Sequence, residues 1–222
     1  MALFVGPAIA TAQDIPDEDP SVETAPIPVN VPLPRPRPSL GETSISQSNA
    51  LSAVNAYFNG IRTLQGEFLQ IGPSPDEVAE GEFIVARPGL IRMNYDPPSE
   101  QVIISNGTTL SVEDAGRRTQ NFYRLERTPL APLLAQYTDL TSDENVRDVI
   151  LDSEAFIIVV LSTAEDGGWL TLYFDRDTYD LSQWVTTDSR GNTITFMMFD
   201  TVINQPVDAA NFVIVNRPFD ED

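Results

Sequence analysis

The stretch EFIVARPGLIRMNYDPP, residues 82–98, gives the strongest indication of the fold. Side chains alternate between the two faces of a strand, so Phe83, Val85 and Arg87 share one face. A guanidinium among apolar side chains must find hydrogen-bond acceptors, because it carries five donors and keeps its charge. The rest of the sequence has to supply the acceptors for Arg87.

The composition excludes several classes of protein. The chain has 222 residues with no cysteine and no histidine, so disulfides, zinc–thiolate sites and a histidine base are impossible. We expect no enzyme: no catalytic residue, no metal site and no cofactor. The 13 basic residues, all arginine, are outnumbered by 33 acidic ones, which leaves a net charge of −20. Nucleic acid is therefore not an expected partner, since its binding depends on basic patches.

The N-terminal region differs in composition from the rest. Residues 1–12 are apolar and end in Ala-Thr-Ala, which predicts a signal peptide and a mature start at Gln13. The usual basic segment is missing, so the alternatives are a signal peptide truncated at its N-terminus and a terminus that is only apolar. Residues 13–42 are acidic and then proline-rich, which predicts an extended tether. We place the folded domain at residues 43–219 and an acidic tail at residues 220–222.

The domain alternates between one helix and many strands. Leu51, Val54, Phe58 and Ile61 recur at spacings of three and four, which predicts a helix that ends near Gly60. Strands are predicted over residues 64–71, 78–86, 90–95, 101–105, 108–113, 119–124, 148–161, 169–174, 181–187 and 193–203. The connections are too short for parallel crossovers, so the sheet is antiparallel.

A second, short helix is predicted after Thr128, with Pro129 in its first turn. Antiparallel strands with a few helices covering one face make an α+β fold. The covered face is rich in apolar residues, so it encloses either a filled core or a cavity for an apolar ligand. The pattern alone favours the filled core.

Five motifs in a fixed order carry a family resemblance. The longest is GEFIVARPGLIRMNYDPPSEQVIISNGTTLSVED at residues 81–114. The others are EFLQ at 67–70, TPLAPLL at 128–134, LTLYFD at 170–175 and VDAANFVI at 207–214. In their order and spacing they resemble the outer-membrane lipoprotein carrier proteins of Gram-negative periplasms, the LolA-type chaperones. The resemblance extends from about residue 51 to residue 212.

The resemblance implies an unclosed antiparallel β-barrel, or half-barrel, with a few helices as a lid over an apolar cavity. It implies that Arg87 is the latch of this lid and bonds backbone carbonyls. The residues expected to contact lipid are Phe83, Val85, Ile91, Met93, Ile104, Leu110, Leu133, Leu134, Leu172 and Phe174. Two of them, Ile91 and Met93, stand where the family often has Phe and Trp. From the residues alone, Arg87 has two alternatives: to extend from a strand end into solvent, or to pair with Glu82 or Asp96 at the sheet rim.

The implied function is a carrier in the periplasm. It binds the acyl chains of lipoproteins released from the inner membrane and delivers them to the outer membrane. The implied partners are acylated lipoproteins, the inner-membrane ABC transporter complex that releases them, and an outer-membrane acceptor or the outer membrane itself; the carrier is expected to be a monomer. The alternative is a periplasmic sensor or scaffold that uses the same half-barrel to recognise lipid or lipoproteins without transporting them.

Overall fold

In the computed structural model of the chain, the described residues are 47–74, 76–141, 144, 146–151, 155–162 and 168–217. The predicted signal peptide, the tether and the acidic tail lie outside them. Within these ranges, no helix has the length and apolar character needed to cross a membrane.

The elements follow the predicted order. The first half of the chain contains α1 (Gln47–Gly60), β1 (Thr63–Ile71), β2 (Val78–Ala86), β3 (Leu90–Tyr95), β4 (Gln101–Asn106), β5 (Thr109–Asp114) and β6 (Thr119–Arg124). A 3-10 helix (Leu125–Arg127) and α2 (Ala131–Leu134) come next. The second half contains β7 (Val146–Leu151), β8 (Phe156–Ser162), β9 (Trp169–Asp175), β10 (Leu181–Thr187), β11 (Thr193–Ile203) and a 3-10 helix (Ala209–Phe212).

The described strands form one antiparallel sheet that does not close. Their order is β6-β5-β4-β3-β2-β1-β11-β10-β9-β8-β7, so pairing of β1 with β11 joins two meanders in the middle of the sheet. The two edge strands, β6 and β7, are joined by the chain segment that contains α2. This segment therefore connects opposite edges of the sheet. The predicted α+β half-barrel is confirmed.

Two local predictions were wrong. Residues 148–161 were predicted as one strand, whereas the structure has β7 and β8, paired with each other. The polar sequence Asp-Ser-Glu at 152–154 interrupts an otherwise apolar run, and that signal was missed. The second helix begins at Ala131, not after Thr128. The Thr128 hydroxyl donates to the Leu125 carbonyl at 2.8 Å and so does not cap the helix.

The apolar core lies between α1 and one face of the sheet, which we call the inner face. Phe83 is paired with Met93, and Met93 with Ile103, so three adjacent strands align buried side chains there. The helix contributes a buried stripe of Ala50, Val54 and Phe58. Because their spacing is four residues, these side chains lie on one side of α1.

The opposite, outer face is partly covered by the C-terminal segment, residues 208–217, which we call the strap. Its 3-10 helix packs on β3 and β4 and buries Phe212, which is 5% exposed. The side-chain amide of Gln120 in β6 donates to the Val215 carbonyl and accepts from the Arg217 amide, each at 2.9 Å. The strap therefore combines one buried aromatic ring with polar contacts near the sheet edge.

Candidate functional site

Arg87 joins the sheet to both helices. It directly follows β2, and its Nε donates to the Ala135 carbonyl at 2.7 Å while its Nη1 donates to the Phe58 carbonyl at 2.5 Å. Phe58 lies in the last turn of α1 and Ala135 directly follows α2. The last carbonyls of a helix attract cations because they carry its partial negative charge. The guanidinium carbon also lies 4.4 Å from the centre of the Phe58 ring, a cation–π distance.

The turn after β2 makes a second contact with the end of α2. The Gly89 amide donates to the Leu134 carbonyl at 2.7 Å, and the Ser105 hydroxyl fixes the turn by donating to the Gly89 carbonyl at 2.7 Å. Gly89 has a φ of +78°, and a Cβ there would lie 2.7 Å from the Gly107 Cα. Glycine is therefore required at this turn.

The charge of Arg87 is not neutralised by a carboxylate among the residues that the structure describes. Glu82, one of the alternatives considered from sequence, is paired with Asn94, next to the inner-face pair of Phe83 and Met93, and so lies on the outer face. Burial lowers the pKa of the Arg87 guanidinium, although arginine remains charged in proteins. Its buried environment supplies carbonyl oxygens and an aromatic ring.

The two helical parts of this region are bonded to each other, and we call α1 together with residues 125–141 the lid. Asn59 Nδ2 donates to the Thr138 carbonyl at 2.8 Å, and the Thr138 amide donates back to Asn59 Oδ1 at 3.0 Å. The Leu140 amide donates to Asn55 Oδ1 at 2.9 Å. These asparagines were missed in the sequence. The sequence shows two amide side chains four residues apart beside an apolar stripe, but this pattern does not predict which groups they bond.

Tyr57 brings the lid close to the sheet. Its hydroxyl on α1 lies near Asp180, which directly precedes β10. Burial, followed by the negative charge of Asp180, raises the pKa of the Tyr57 phenol. The raised pKa extends the pH range of the neutral phenol above that of an ordinary tyrosine.

Beneath the lid lies an apolar cavity of about 30 Å³. It is lined by Phe58, Ile61, Leu64, Val85, Arg87, Ile91, Leu130, Leu133, Leu134, Leu181 and Trp184. A space of this size holds about one water molecule, so the interior of this conformation is nearly full, as the pattern favoured. An acyl chain cannot enter unless the lid moves.

The predicted lipid-contacting residues fall into three groups. Four line the cavity: Val85, Ile91, Leu133 and Leu134. Five are buried in the core without lining it: Phe83, Met93, Leu110, Leu172 and Phe174. The tenth, Ile104, is paired with Arg92, whereas its neighbour Ile103 is paired with Met93.

The register therefore places Ile104 on the outer face and Ile103 on the inner face. Both positions are apolar, so alternation alone did not distinguish them. Six other cavity-lining residues were not among the predicted contacts: Phe58, Ile61, Leu64, Leu130, Leu181 and Trp184. The stripe on α1 already indicated the first two. The position of Trp184 depends on the pairing of β10, which the sequence does not specify.

Comparison with known proteins agrees with this architecture. The family described as "Outer membrane lipoprotein carrier protein LolA" matches residues 59–215. An outer-membrane lipoprotein carrier protein of Coxiella burnetii is 24% identical over 193 residues, which cover 78% of this chain and 86% of that protein. One from Pseudomonas aeruginosa is 24% identical over 173 residues, which cover 74% of this chain and 83% of that protein.

Among solved structures, a LolA superfamily protein from Nitrosomonas europaea aligns with a TM-score of 0.44 at 10% identity, over 74% of this chain and 97% of that chain. The family match extends from the end of α1 through the strap and includes every strand of the sheet. The chain belongs to the LolA family of outer-membrane lipoprotein carrier proteins.

Proposed function

We propose that this protein is a periplasmic carrier that binds the acyl chains of lipoproteins released from the inner membrane and delivers them to the outer membrane. The observation that carries the proposal is the position of Arg87, which bonds both parts of the lid above a nearly full apolar interior. Membership of the family supports lipoproteins as the cargo. The inner-face side chains are the surface that the acyl chains would contact when the lid opens.

The free energy of acyl-chain transfer favours a carrier whose lid closes when the cargo leaves. Burying one methylene is worth about 0.8 kcal/mol, so three long acyl chains hold a lipoprotein in a bilayer by roughly 30 kcal/mol. A carrier must replace most of this burial but not all of it, because otherwise the cargo would not leave. When the cargo leaves, the lid closes and Arg87 regains its two carbonyl acceptors. Closure then offsets part of the burial that the cargo loses.

The loading complex, the acceptor and the monomeric state are inferred from the family. An inner-membrane ABC transporter complex loads the carrier, so the carrier itself needs no catalytic residue. The carrier acts as a monomer and passes its cargo to an outer-membrane acceptor or directly to the outer membrane. Cleavage after Ala12 should accompany export, and a periplasmic form that begins at Gln13 is the expected result of N-terminal mapping after expression from a correct upstream start. Uncleaved protein confined to the cytoplasm would refute this location.

The role of Arg87 is tested by Arg87→Leu, with Arg87→Lys and Arg92→Leu beside it. Arg92 is a matched control because it lies on the same hairpin but on the outer face, where it bonds Asn94 and the Asn211 carbonyl. Leucine at position 87 leaves the Phe58 and Ala135 carbonyls without their donor in the closed lid, at about 1–3 kcal/mol for each buried group. In the open lid, water can bond both carbonyls.

The equilibrium should therefore shift towards the open lid. We expect Arg87→Leu to bind a neutral hydrophobic fluorescent probe at least tenfold more tightly than wild type, with slower lipoprotein release to membranes and a free energy of unfolding lower by about 1.4 kcal/mol for each tenfold gain in affinity. Arg87→Lys should be intermediate, because one ammonium lacks the planar fork of a guanidinium. Arg92→Leu should match wild type. Wild-type probe affinity and release in Arg87→Leu would refute the latch.

The carrier function itself is tested by native mass spectrometry of protein purified from the periplasm. A carrier should retain acylated lipoprotein at one copy per monomer. Recovery of a non-acylated protein partner instead would favour the sensor or scaffold alternative. Recovery of neither, from cells in which lipoprotein release is active, would contradict both.

A further inference from the structure

Two residues that line the cavity each have a buried N–H donor without an acceptor among the described residues. The donors are Nη2 of Arg87 and Nε1 of Trp184. Trp184 is only 3% exposed, and both residues line the same cavity of about 30 Å³. Buried donors in proteins almost always have a partner, so two exceptions in one small space require an explanation.

Packing and lid closure do not explain the two donors. The Trp184 ring stacks on Phe196, with ring centres 5.0 Å apart and planes 24° apart, and a phenyl ring would serve that contact without adding an N–H. Arg87 already bonds the lid through Nε and Nη1. The third nitrogen of the guanidinium is not used in holding the lid.

We propose that these two donors bind the carbonyl oxygen of an acyl group, the ester or amide at the head of an acyl chain. This inference rests on the proposed carrier function and names a polar subsite within the apolar interior. The subsite offers donors and no acceptor, so it suits an oxygen that has lone pairs but no hydrogen. A carbonyl oxygen has two lone pairs and can accept two hydrogen bonds.

The rest of the lining fits the chain attached to that carbonyl. Ile61, Leu64, Leu130 and Leu181 are aliphatic and line the same cavity as Arg87 and Trp184. An alcohol at this position would leave its own O–H unpaired against these side chains. A water molecule fits the volume in the cargo-free protein, and cargo would displace it without losing the two hydrogen bonds.

The test compares two ligands that differ only at the carbonyl: monopalmitoylglycerol, an ester, and hexadecylglycerol, the corresponding ether. Wild type should bind the ester about five- to tenfold more tightly, the effect of about one net hydrogen bond. Trp184→Phe keeps an aromatic ring but removes one of the two N–H donors, and it should lower the preference for the ester to about two- to threefold, because Arg87 still donates. Arg87 is unsuitable for this substitution because it also holds the lid.

Leu181→Val is the matched control, because it reduces an apolar residue of the same cavity wall and leaves both donors in place. It should weaken both ligands equally and retain the preference for the ester. The same comparison with a triacylated lipopeptide and with phosphatidylglycerol distinguishes two sources of the ester. Loss of affinity in Trp184→Phe for the lipopeptide alone assigns the subsite to lipoprotein, and equal loss for both ligands assigns it to acyl esters in general.

Each failure has a distinct meaning. Equal affinity of wild type for ester and ether would overturn the carbonyl subsite and leave the carrier function standing, with water as the occupant of the donors. The ester–ether comparison in wild type does not depend on the folding of any variant. Failure of wild type to bind the ester, the ether and the lipopeptide would refute the carrier function and this inference together. An unchanged preference in a folded Trp184→Phe would remove Trp184 from the subsite.

Discussion

The lid and the strap each cover one face of the same sheet, but different forces hold them. The strap is fixed by Phe212, which is buried against the outer face, while its contacts with Gln120 are exposed. The lid also buries apolar side chains, among them Phe58 and Leu134, but in addition Arg87 bonds two of its backbone carbonyls, and a small cavity remains beneath it.

This difference affects the free energy needed to separate each segment from the sheet. When a hydrogen bond to a backbone carbonyl opens, water replaces the lost partner, so the net cost is about 1 kcal/mol. When a buried phenyl ring is exposed, nothing in water replaces its apolar contacts. Opening the lid also exposes Phe58 and Leu134, but an acyl chain that entered the cavity would replace their apolar contacts, whereas nothing would replace those of Phe212. The lid is therefore the segment that cargo could displace while the strap remains in place.

Phe212→Ala should have the largest effect on stability. Removing a buried phenylalanine side chain costs about 3–5 kcal/mol, because apolar contacts are lost and a cavity remains. Urea denaturation should show this loss in the free energy of unfolding. Val213→Ala is the control, since Val213 is 58% exposed in the same segment and its substitution should change the free energy by less than about 0.5 kcal/mol. A loss below about 1 kcal/mol in Phe212→Ala would show that the ring does not anchor the strap.

Asn59→Ala should act on the lid and leave the strap unchanged. It leaves the Thr138 amide and carbonyl without their side-chain partner, which should lower the free energy of lid opening by about 1–3 kcal/mol. Hydrogen exchange at the Gly89 and Leu140 amides should then accelerate by about 5- to 150-fold. Exchange at the Arg217 amide in the strap should be unchanged.

The control for this experiment is Ser52→Ala on the same helix, where the side chain bonds only the Ser48 carbonyl one turn earlier. It should leave exchange at Gly89 and Leu140 unchanged. If Asn59→Ala accelerated exchange in the lid and the strap alike, the two segments would open together, and the contrast between them would be wrong.

The sequence predicted those parts that depend on local alternation. The bounds of β2, β3 and β6 agree with prediction because each is a short run between clear turn residues. The inner-face position of Arg87 followed from its spacing to Phe83 and Val85. Alternation was uninformative where adjacent residues are both apolar, as at Ile104. The apolar residues on both sides of residues 152–154 likewise led to the prediction of one strand where the structure has β7 and β8.

Most features that the sequence did not predict depend on contacts between residues far apart in the chain. Asn59 and Thr138 are 79 residues apart, and either residue alone reads as an ordinary polar side chain. The carbonyls that accept from Arg87 are backbone groups, which leave no mark in the sequence. The volume beneath the lid depends on how eleven side chains from several elements pack. The family resemblance supplied a lid, but the cavity size and the unpaired Trp184 required coordinates.

The stability of the lid and of the core can also be compared at high pH, through Tyr57 in the lid and Tyr95 in the core. Tyr95 is 8% exposed and donates to Gln70 Oε1 at 2.5 Å, and burial raises its pKa above the ordinary value of 10.0. A raised phenol pKa gives stability that is complete below pH 10 and lost as pH rises towards the folded value. The loss should reach about 1.4 kcal/mol for each pH unit and each such group.

Unfolding free energies measured from pH 8 to pH 11 test this assignment. Tyr95→Phe should be about 1 kcal/mol less stable than wild type at pH 8, because Gln70 loses its donor, but its stability should fall less steeply above pH 10. Tyr57→Phe should also reduce the slope, since the raised pKa of Tyr57 depends on burial and on Asp180. An unchanged slope in both variants would show that neither phenol resists ionisation in the folded state.

Gln120→Ala should have the smallest effect, although it removes two hydrogen bonds from the strap. Both bonds are exposed, so water can bond the Val215 carbonyl and the Arg217 amide in the variant. The ion pair between Arg217 and Glu113, at 3.1 Å, lies beside them and is worth at most about 1 kcal/mol because the arginine is exposed. We expect the free energy of unfolding to fall by less than about 1 kcal/mol in Gln120→Ala, with the Phe212 contact intact. Hydrogen exchange at Arg217 should increase while exchange at the Gly89 amide, which bonds the lid through the Leu134 carbonyl, stays at its wild-type rate. A loss as large as that of Phe212→Ala would mean that polar contacts hold the strap as they hold the lid, and the two segments would then be equally able to open.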